Sequence, residues 1–168
     1  VRLKGLTALR KQDMLTIRRV DIRDGFLTSV NLKTGKKIRF PLCDEEGNPN
    51  AVQSCIDRID AYYAGIKKQH TSPYLFYNRK GEGYYTVNAK DASSGFNSVW
   101  QRSMKKALKL TELEESFTEH DLRAKASSDL DSAVDAQKLL VHSNAQTTEK
   151  HYRRKGTVVT PTQGFLFE

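Results

Sequence analysis

The sequence predicts an α+β fold, a mostly helical domain with a small antiparallel β-sheet. Apolar residues recur at helical spacing in several stretches, and two short runs of alternating residues flank a turn at Gly35. In the last third of the chain, two further helical patterns each follow a capping Thr or Ser. Because 168 residues are enough to bury one core, we expect a single domain.

The first predicted element is a helix over residues 5–17, with Leu6, Leu9, Met14 and Ile17 facing inward. This pattern begins almost at the first residue, and no initiator methionine precedes it. The opening residues also lack the apolar region of a signal peptide. We therefore expect the chain to be a fragment of a longer protein.

A basic β-hairpin is predicted next. Residues 26–32 and 36–42 have the composition of strands, and in the second of them Ile38 and Phe40 alternate with basic residues. Gly35, in the "KTGK" turn between the two runs, is free to take a positive φ. The hairpin therefore has one apolar and one basic face.

The helix after the hairpin is expected to have Asn48 as its cap and Pro49 at its first position, and to run to residue 66. Cys55 lies on its apolar face, where a buried free thiol is expected. Two cysteines, Cys43 and Cys55, do not make a disulfide framework, which favours a reducing, intracellular setting.

Three more helices are predicted over residues 96–110, 119–130 and 133–141. Thr118 and Ser132 cap the second and third of them, each with an aspartate three residues on, as in a capping box. The first of the three is expected to bury Phe96, Val99, Trp100, Ala107 and Leu108.

Positive charge is concentrated in the first quarter of the chain. Residues 1–43 carry 11 Lys/Arg against three Asp, whereas residues 44–168 carry 17 basic and 17 acidic residues. This asymmetry predicts a surface that binds a polyanion such as nucleic acid. On charge alone, a basic surface that simply faces water is an equally good interpretation. Apolar runs are too short to cross a membrane, and no cluster of Asp and Glu has the spacing of metal ligands.

Six side chains that could act in catalysis or bind an anion stand out by their order and spacing. They are Arg10, Lys33, His120, Arg123, His142 and Tyr152. Taken alone, each has an ordinary explanation, since Lys33 is a turn lysine and His142 a cation at a helix end. His120 and Arg123 lie three residues apart at a helix start and share one face. Tyr152 follows His142 by ten residues, and the whole series is a far stronger signal than any member.

Four stretches carry this series, "TALRKQDMLTIRRVDI", "NLKTGKKIRFPL", "FTEHDLRAKASSDL" and "LLVHSNAQTTEKHYRR". In order and interval they resemble the motifs of the tyrosine recombinases, the phage integrase family, over residues 6–154. The resemblance implies a catalytic domain of the DNA breaking-rejoining fold over residues 1–155, without the family's N-terminal DNA-binding domain. Residues 156–168 would then be a C-terminal tail that is exchanged between subunits, or that packs on its own domain.

The resemblance also implies a role for each residue. Arg10 and Arg123 would hold the non-bridging oxygens of the scissile phosphate, and Tyr152 would be the nucleophile. Lys33 would protonate the leaving 5′ oxygen. His120 would assist proton transfer, and His142 would hydrogen-bond the phosphate. The expected DNA contacts are Lys11, Lys36, Lys37, Arg39, Lys125, Arg153 and Arg154.

The chain departs from the family pattern at two positions where the family usually has glycine. Ala8 stands in the "TALR" stretch, where we expect a mild change within a helix. Val141 stands before His142, and a β-branched residue cannot take a positive φ cheaply. We therefore expect the backbone at His142 to differ from that of the family.

The function implied is that of a phage or prophage integrase, which would cleave and rejoin DNA through a 3′-phosphotyrosyl bond without metal, ATP or other cofactor. Its partners would be double-stranded DNA at attachment sites, three further copies in a tetramer, and accessory DNA-bending proteins. We expect it in the cytoplasm of a bacterial host, at the nucleoid and away from membranes. A type IB topoisomerase-like enzyme, a non-catalytic DNA-binding relic and a metal-dependent nuclease remain as alternatives.

Overall fold

A computed structural model describes residues 1–66, 70–86, 92–130 and 133–140. The predicted fold class is confirmed, because helices predominate and the described strands form one small antiparallel sheet. The elements, in chain order, are α1 (Arg2–Thr7), α2 (Lys11–Leu15), a 3₁₀ turn (Arg19–Asp21), β1 (Ile22–Arg23), β2 (Phe26–Val30), β3 (Lys37–Pro41), α3 (Ala51–Ala64), α4 (Ser94–Leu110), α5 (Glu119–Ser128) and α6 (Ala133–Leu140).

The opening of the chain is two short helices, so the prediction of one helix over residues 5–17 is wrong. Ala8 ends α1 in the left-handed conformation, with φ 50° and ψ 20°, and its N–H donates to the Lys4 carbonyl. The expectation that Ala8 is a mild change within a helix is wrong for the same reason, because this conformation favours glycine. Leu6 is 42% exposed rather than inward, whereas Leu9 is buried as predicted.

The predicted hairpin is confirmed. The strands lie in the order β1-β2-β3, all antiparallel, and β2 pairs with β3 from Phe26↔Pro41 to Val30↔Lys37. Gly35 has φ 70°, as the turn requires. The buried side chain of Asn31 accepts hydrogen bonds from the N–H groups of Lys33 and Thr34, which fixes the turn from within.

The start of α3 differs from the prediction by two residues. The side chain of Asn50, not that of Asn48, accepts hydrogen bonds from the N–H groups of Val52 and Gln53. Asn48 instead belongs to a turn in which its N–H donates to Asp44. Because the turn holds Asn48, the helix begins two residues later.

The cap of α5 is confirmed, because Thr118 and Asp121 form a reciprocal capping box. Helix α6 is also present where the sequence predicts one, while its proposed cap, Ser132, lies outside the described residues. Helix α5 therefore has a rigidly defined first turn, which matters because this turn carries His120.

The core is built from the opening helices, the sheet and α3. Its most buried members include Leu9, Leu15, Leu27 and Leu75. Cys55 also belongs to the core, and its buried free thiol confirms the prediction.

Helix α4 has no fully buried residue. The prediction that it buries five residues is therefore wrong. Leu108 is 37% exposed, and the other four are half-buried, namely Phe96, Val99, Trp100 and Ala107. No helix within the described ranges has the length and apolar character needed to cross a bilayer.

Candidate active site

A polar cleft of about 480 Å³ lies where α2 and the first turns of α4 and α5 meet. Arg10 and His120, two of the predicted catalytic residues, both line it although 110 positions separate them. The full lining is Arg10, Lys11, Gln12, Tyr85, Ala92, Ser93, Ser94, Asn97, Glu119 and His120. The N-termini of three helices, α2, α4 and α5, contribute to this lining, and the N–H groups at such ends favour an anion.

Arg10 owes its position to the break at Ala8. It is the N-cap of α2, with extended backbone angles of φ −62° and ψ 151°, and its side chain is half-buried. His120 is the second residue of α5 and is exposed. The capping box directs the α5 N-terminus, and the left-handed turn directs Arg10, to the same cleft.

Arg123 lies on α5 one turn after His120 and is 2% exposed. Its guanidinium donates one hydrogen bond to the Ala8 carbonyl and another, at 2.8 Å, to the Leu140 carbonyl. Arg123 therefore contacts the turn that precedes Arg10, but it is not part of the cleft lining. It joins α5 to the α1–α2 corner and to the end of α6.

Lys33 is exposed in the hairpin turn. A buried carboxylate ties this turn to α2, because Oδ1 of Asp13 accepts the N–H of Leu32 at 3.0 Å. Asp13 thus links the helix that begins after Arg10 with the turn that carries Lys33. Asp13 is not among the residues that the sequence motifs predict for the site. The signal available was an acidic residue three positions after Arg10, beside the apolar pair Met14 and Leu15.

A buried ion pair adjoins the cleft. Nζ of Lys4 lies 2.7 Å from Oε2 of Glu119 and donates to the Leu9 carbonyl at 2.8 Å. Burial lowers the pKa of Lys4, and the Glu119 carboxylate acts in the opposite direction. Lys11 lies 3.7 Å from the other Glu119 oxygen and donates to Oδ1 of Asn97 at 3.1 Å.

The described cations that were predicted to contact DNA lie on the hairpin, on α2 and on α5. Lys36, Lys37 and Arg39 are exposed on the hairpin, next to Lys33, and the Arg39 guanidinium stacks 3.9 Å from the centre of the Phe26 ring. The other two described cations have acidic partners. Lys11 pairs with Glu119, and Lys125 pairs with Asp129 at 2.8 Å.

Four predicted residues, His142, Tyr152, Arg153 and Arg154, lie outside the described residues. Among the described ones, Arg10 and His120 share the cleft, and hydrogen bonds connect Arg123 and the turn of Lys33 to the segments on either side of Arg10. In the same ranges, no group of three or more His, Cys, Asp or Glu side chains is arranged to hold a metal ion.

Comparison with solved structures identifies the fold. The catalytic core of lambda integrase matches with a TM-score of 0.57 and 24% identity, over 83% of this chain and 78% of that one. A lambda integrase tetramer bound to a Holliday junction matches with a TM-score of 0.65 and 22% identity, over 95% of this chain and 43% of that one. XerA recombinase matches with a TM-score of 0.62 and 14% identity, over 92% and 52% of the two chains.

The chain spans about half the length of the first recombinase chains that it matches. No curated protein matches its sequence. The family model described as "Phage integrase family" matches residues 1–157, almost the whole chain. The chain therefore belongs to the phage integrase family, and its fold is that of a tyrosine recombinase catalytic domain.

Proposed function

We propose that the chain is the catalytic domain of a site-specific DNA recombinase, with a phage or prophage integrase as its parent. The observation that carries this proposal is the shared cleft of Arg10 and His120, with Arg123 bonded to the turn that leads into Arg10. Arginine suits this role because its planar fork bonds two phosphate oxygens at once and stays protonated at neutral pH.

In the proposed reaction, the phenol oxygen of Tyr152 attacks the scissile phosphorus, and the bond from phosphorus to the 5′ oxygen breaks. The phenol has an ordinary pKa of about 10, so its proton must pass to a nearby base, a role we assign to His120. Lys33 gives a proton to the leaving 5′ oxygen. The products are a 3′-phosphotyrosyl ester and a free 5′ hydroxyl.

The ester keeps the energy of the broken phosphodiester bond, so rejoining needs no ATP. A 5′ hydroxyl from a second strand gives its proton back to Lys33 as it attacks the phosphorus, the bond from phosphorus to the phenol oxygen breaks, and Tyr152 leaves with the proton that His120 returns. Arg10 and Arg123, with His142, neutralise the charge that develops on the phosphate oxygens. Charge stabilisation by fixed groups in a cleft is the principal contribution expected of this site.

The basic hairpin supplies the DNA contacts in this proposal. Lys36, Lys37 and Arg39 share it with Lys33, so binding of the duplex backbone would bring the lysine toward the phosphate. The remaining contacts would come from Lys11, Lys125, Arg153 and Arg154. Lys11 and Lys125 would exchange their acidic partners for phosphates on binding.

The assembly is proposed by analogy with the lambda integrase tetramer on a Holliday junction. Four copies would exchange strands at attachment sites, with accessory DNA-bending proteins where the site requires them. Residues 156–168 would form the tail that passes between subunits. Such a protein would act at the nucleoid of a bacterial host.

Adduct formation tests this function. The chain is incubated with a pool of labelled, nicked duplexes randomised around the nick, and the products are separated on a denaturing gel. The wild-type chain should give a labelled protein band, and Tyr152→Phe should give none while binding the pool equally well. DNA binding without any adduct would indicate a non-catalytic relic. An adduct with relaxation of supercoils but no strand exchange would indicate a topoisomerase-like enzyme.

A further inference from the structure

One buried ammonium group touches the residues that immediately precede two cleft residues. Nζ of Lys4 donates to the carbonyl of Leu9 at 2.8 Å, and Leu9 precedes Arg10. The same Nζ lies 2.7 Å from the carboxylate of Glu119, which precedes His120. A single side chain therefore spans the distance between the segment that carries Arg10 and the helix that carries His120.

Burying the ammonium group of Lys4 costs free energy, because a charged group loses its hydration. Lys4 is 2% exposed, so its ammonium group is almost entirely removed from water. Replacing a buried ion pair by apolar residues is often neutral or stabilising, so such a pair is weak evidence for a gain in stability. Burial also lowers the pKa of Lys4, which shows that folding disfavours its charge. Geometry rather than stability is therefore the better explanation of the pair.

Glu119 extends the same connection to the other wall of the cleft. Its second carboxylate oxygen lies 3.7 Å from Lys11, which donates to Asn97 on α4 at 3.1 Å. Lys11, Asn97 and Glu119 all line the cleft, whereas Lys4 does not. Lys4 instead lines an apolar groove of about 440 Å³ on the other side of the pair. Within the part of the chain that the structure describes, Lys4 thus connects to the cleft through Glu119 and the Leu9 carbonyl.

We propose that Lys4 and Glu119 are positioning residues whose buried ion pair fixes Arg10 relative to His120, so that both groups act on one phosphate. This inference rests on the proposed function, because it assigns the pair to the same strand-cleavage step. Since Lys4 does not line the cleft, its loss should slow cleavage without weakening the binding of DNA.

The test uses the whole chain and the nicked duplex pool. Lys4→Met keeps the approximate length of the side chain and removes its charge. The double variant Lys4→Met/Glu119→Gln also removes the negative charge of Glu119, which has lost Lys4 as its partner. Lys138→Met is the matched control, because it breaks an exposed Lys138–Asp135 pair on α6. Three quantities are measured: the single-turnover rate of adduct formation at saturating DNA, the DNA dissociation constant, and the melting temperature.

A small misplacement of catalytic groups costs up to about a hundredfold in rate, so Lys4→Met should react at least about tenfold more slowly than wild type. Its dissociation constant for DNA should stay within about twofold of the wild-type value, as expected when no DNA contact is lost. The double variant should regain the wild-type melting temperature and remain slow. Lys138→Met should match wild type in all three measurements.

The outcomes separate this inference from the proposed function. A double variant that regains both stability and rate would show that the pair only stabilises the fold, which overturns the positioning role. A wild-type rate in Lys4→Met, or in the double variant where Lys4→Met does not fold, would overturn it as well. A wild-type chain that forms no adduct at all would overturn the proposed function and this inference with it.

Discussion

The guanidinium of Arg123 donates a hydrogen bond to the backbone carbonyl of Ala8, a residue in the left-handed conformation two positions before Arg10. Of the two arginines proposed to hold the phosphate, one therefore contacts the chain turn that positions the other. Arg123 is buried and Arg10 lines the cleft, so the two side chains should respond differently to substitution.

Arg123→Lys should destabilise the fold. A lysine keeps the charge but lacks the planar guanidinium whose two nitrogens bond the Ala8 and Leu140 carbonyls. We therefore expect a loss of about 2–3 kcal/mol in the free energy of unfolding. Urea denaturation measures it. Arg10→Lys is the matched control, and it should change the free energy of unfolding by less than about 0.5 kcal/mol while abolishing the adduct. Equal stability of the two variants would contradict the structural role of Arg123.

Ala8 should tolerate glycine and reject valine. Glycine relieves a left-handed alanine by about 1 kcal/mol, and the buried methyl lost is worth about 0.8 kcal/mol. Ala8→Gly should therefore leave the free energy of unfolding within about 1 kcal/mol of wild type. Ala8→Val places a β-branched residue at φ 50° and should cost at least about 2 kcal/mol. Thermal denaturation compares the two, and a stable valine variant would show that the turn is helical.

Asp13→Ala should loosen the hairpin turn. The Leu32 N–H loses its carboxylate acceptor, so hydrogen exchange over residues 31–36 should become faster, with a cost of about 1 kcal/mol. Asp13→Asn keeps an acceptor oxygen at the same place and should exchange like wild type. Mass spectrometry of the exchanged peptide measures the effect. Unchanged exchange in Asp13→Ala would mean that Asn31 holds the turn alone.

The hairpin cations should determine how DNA binding depends on salt. Replacing Lys36, Lys37 and Arg39 by Ala should weaken binding and lower the slope of log affinity against log salt by about 3, since each phosphate contact contributes about 0.9. Fluorescence anisotropy at several salt concentrations measures the slope. Replacing the exposed Lys105, Lys106 and Lys109 of α4 removes the same charge elsewhere, and an equal effect there would argue against a hairpin-specific contact.

Tyr63 should make the fold sensitive to alkali. Burial raises its pKa above the ordinary 10.0, although the hydrogen bond that the Tyr77 N–H donates to its phenol oxygen acts the other way. Above pH 10 the unfolded chain loses this proton first, so stability is present below that pH and falls as the pH rises through the folded-state pKa. Tyr63→Phe should lose less stability between pH 9 and pH 11 than wild type, as measured by urea denaturation. Identical losses would exclude Tyr63 as a source.

The parts of the fold that follow from local rules were predictable. The hairpin depends on an alternating strand and a turn glycine, and the α5 cap on Thr118 and Asp121, all within a few residues. The break at Ala8 was not predicted, because alanine is the best helix former, although the glycine that the family usually has at this position was a signal for a positive φ. Its stabilising contact comes from Arg123, far along the chain.

The candidate site, like the fold, was predictable only in part. The order of the motifs pointed to Arg10 and His120, and the structure places both on one cleft. Lys4 and Asp13 were not predicted, because a charged residue next to the apolar positions of a helix usually lies on the solvated face of that helix. Their buried partners, Glu119 and the Leu32 N–H, come from other elements, so only the folded chain reveals what they hold.

The turn at Ala8 also implies an order of events during synthesis. Its carbonyl and the Arg123 guanidinium are 115 residues apart in the sequence, and contacts of such separation form late. A nascent chain that has emerged only as far as α4 therefore carries Arg10 without the bond that fixes its corner. Under the proposed function, competence for cleavage would be acquired in one step, only after α5 has been synthesised.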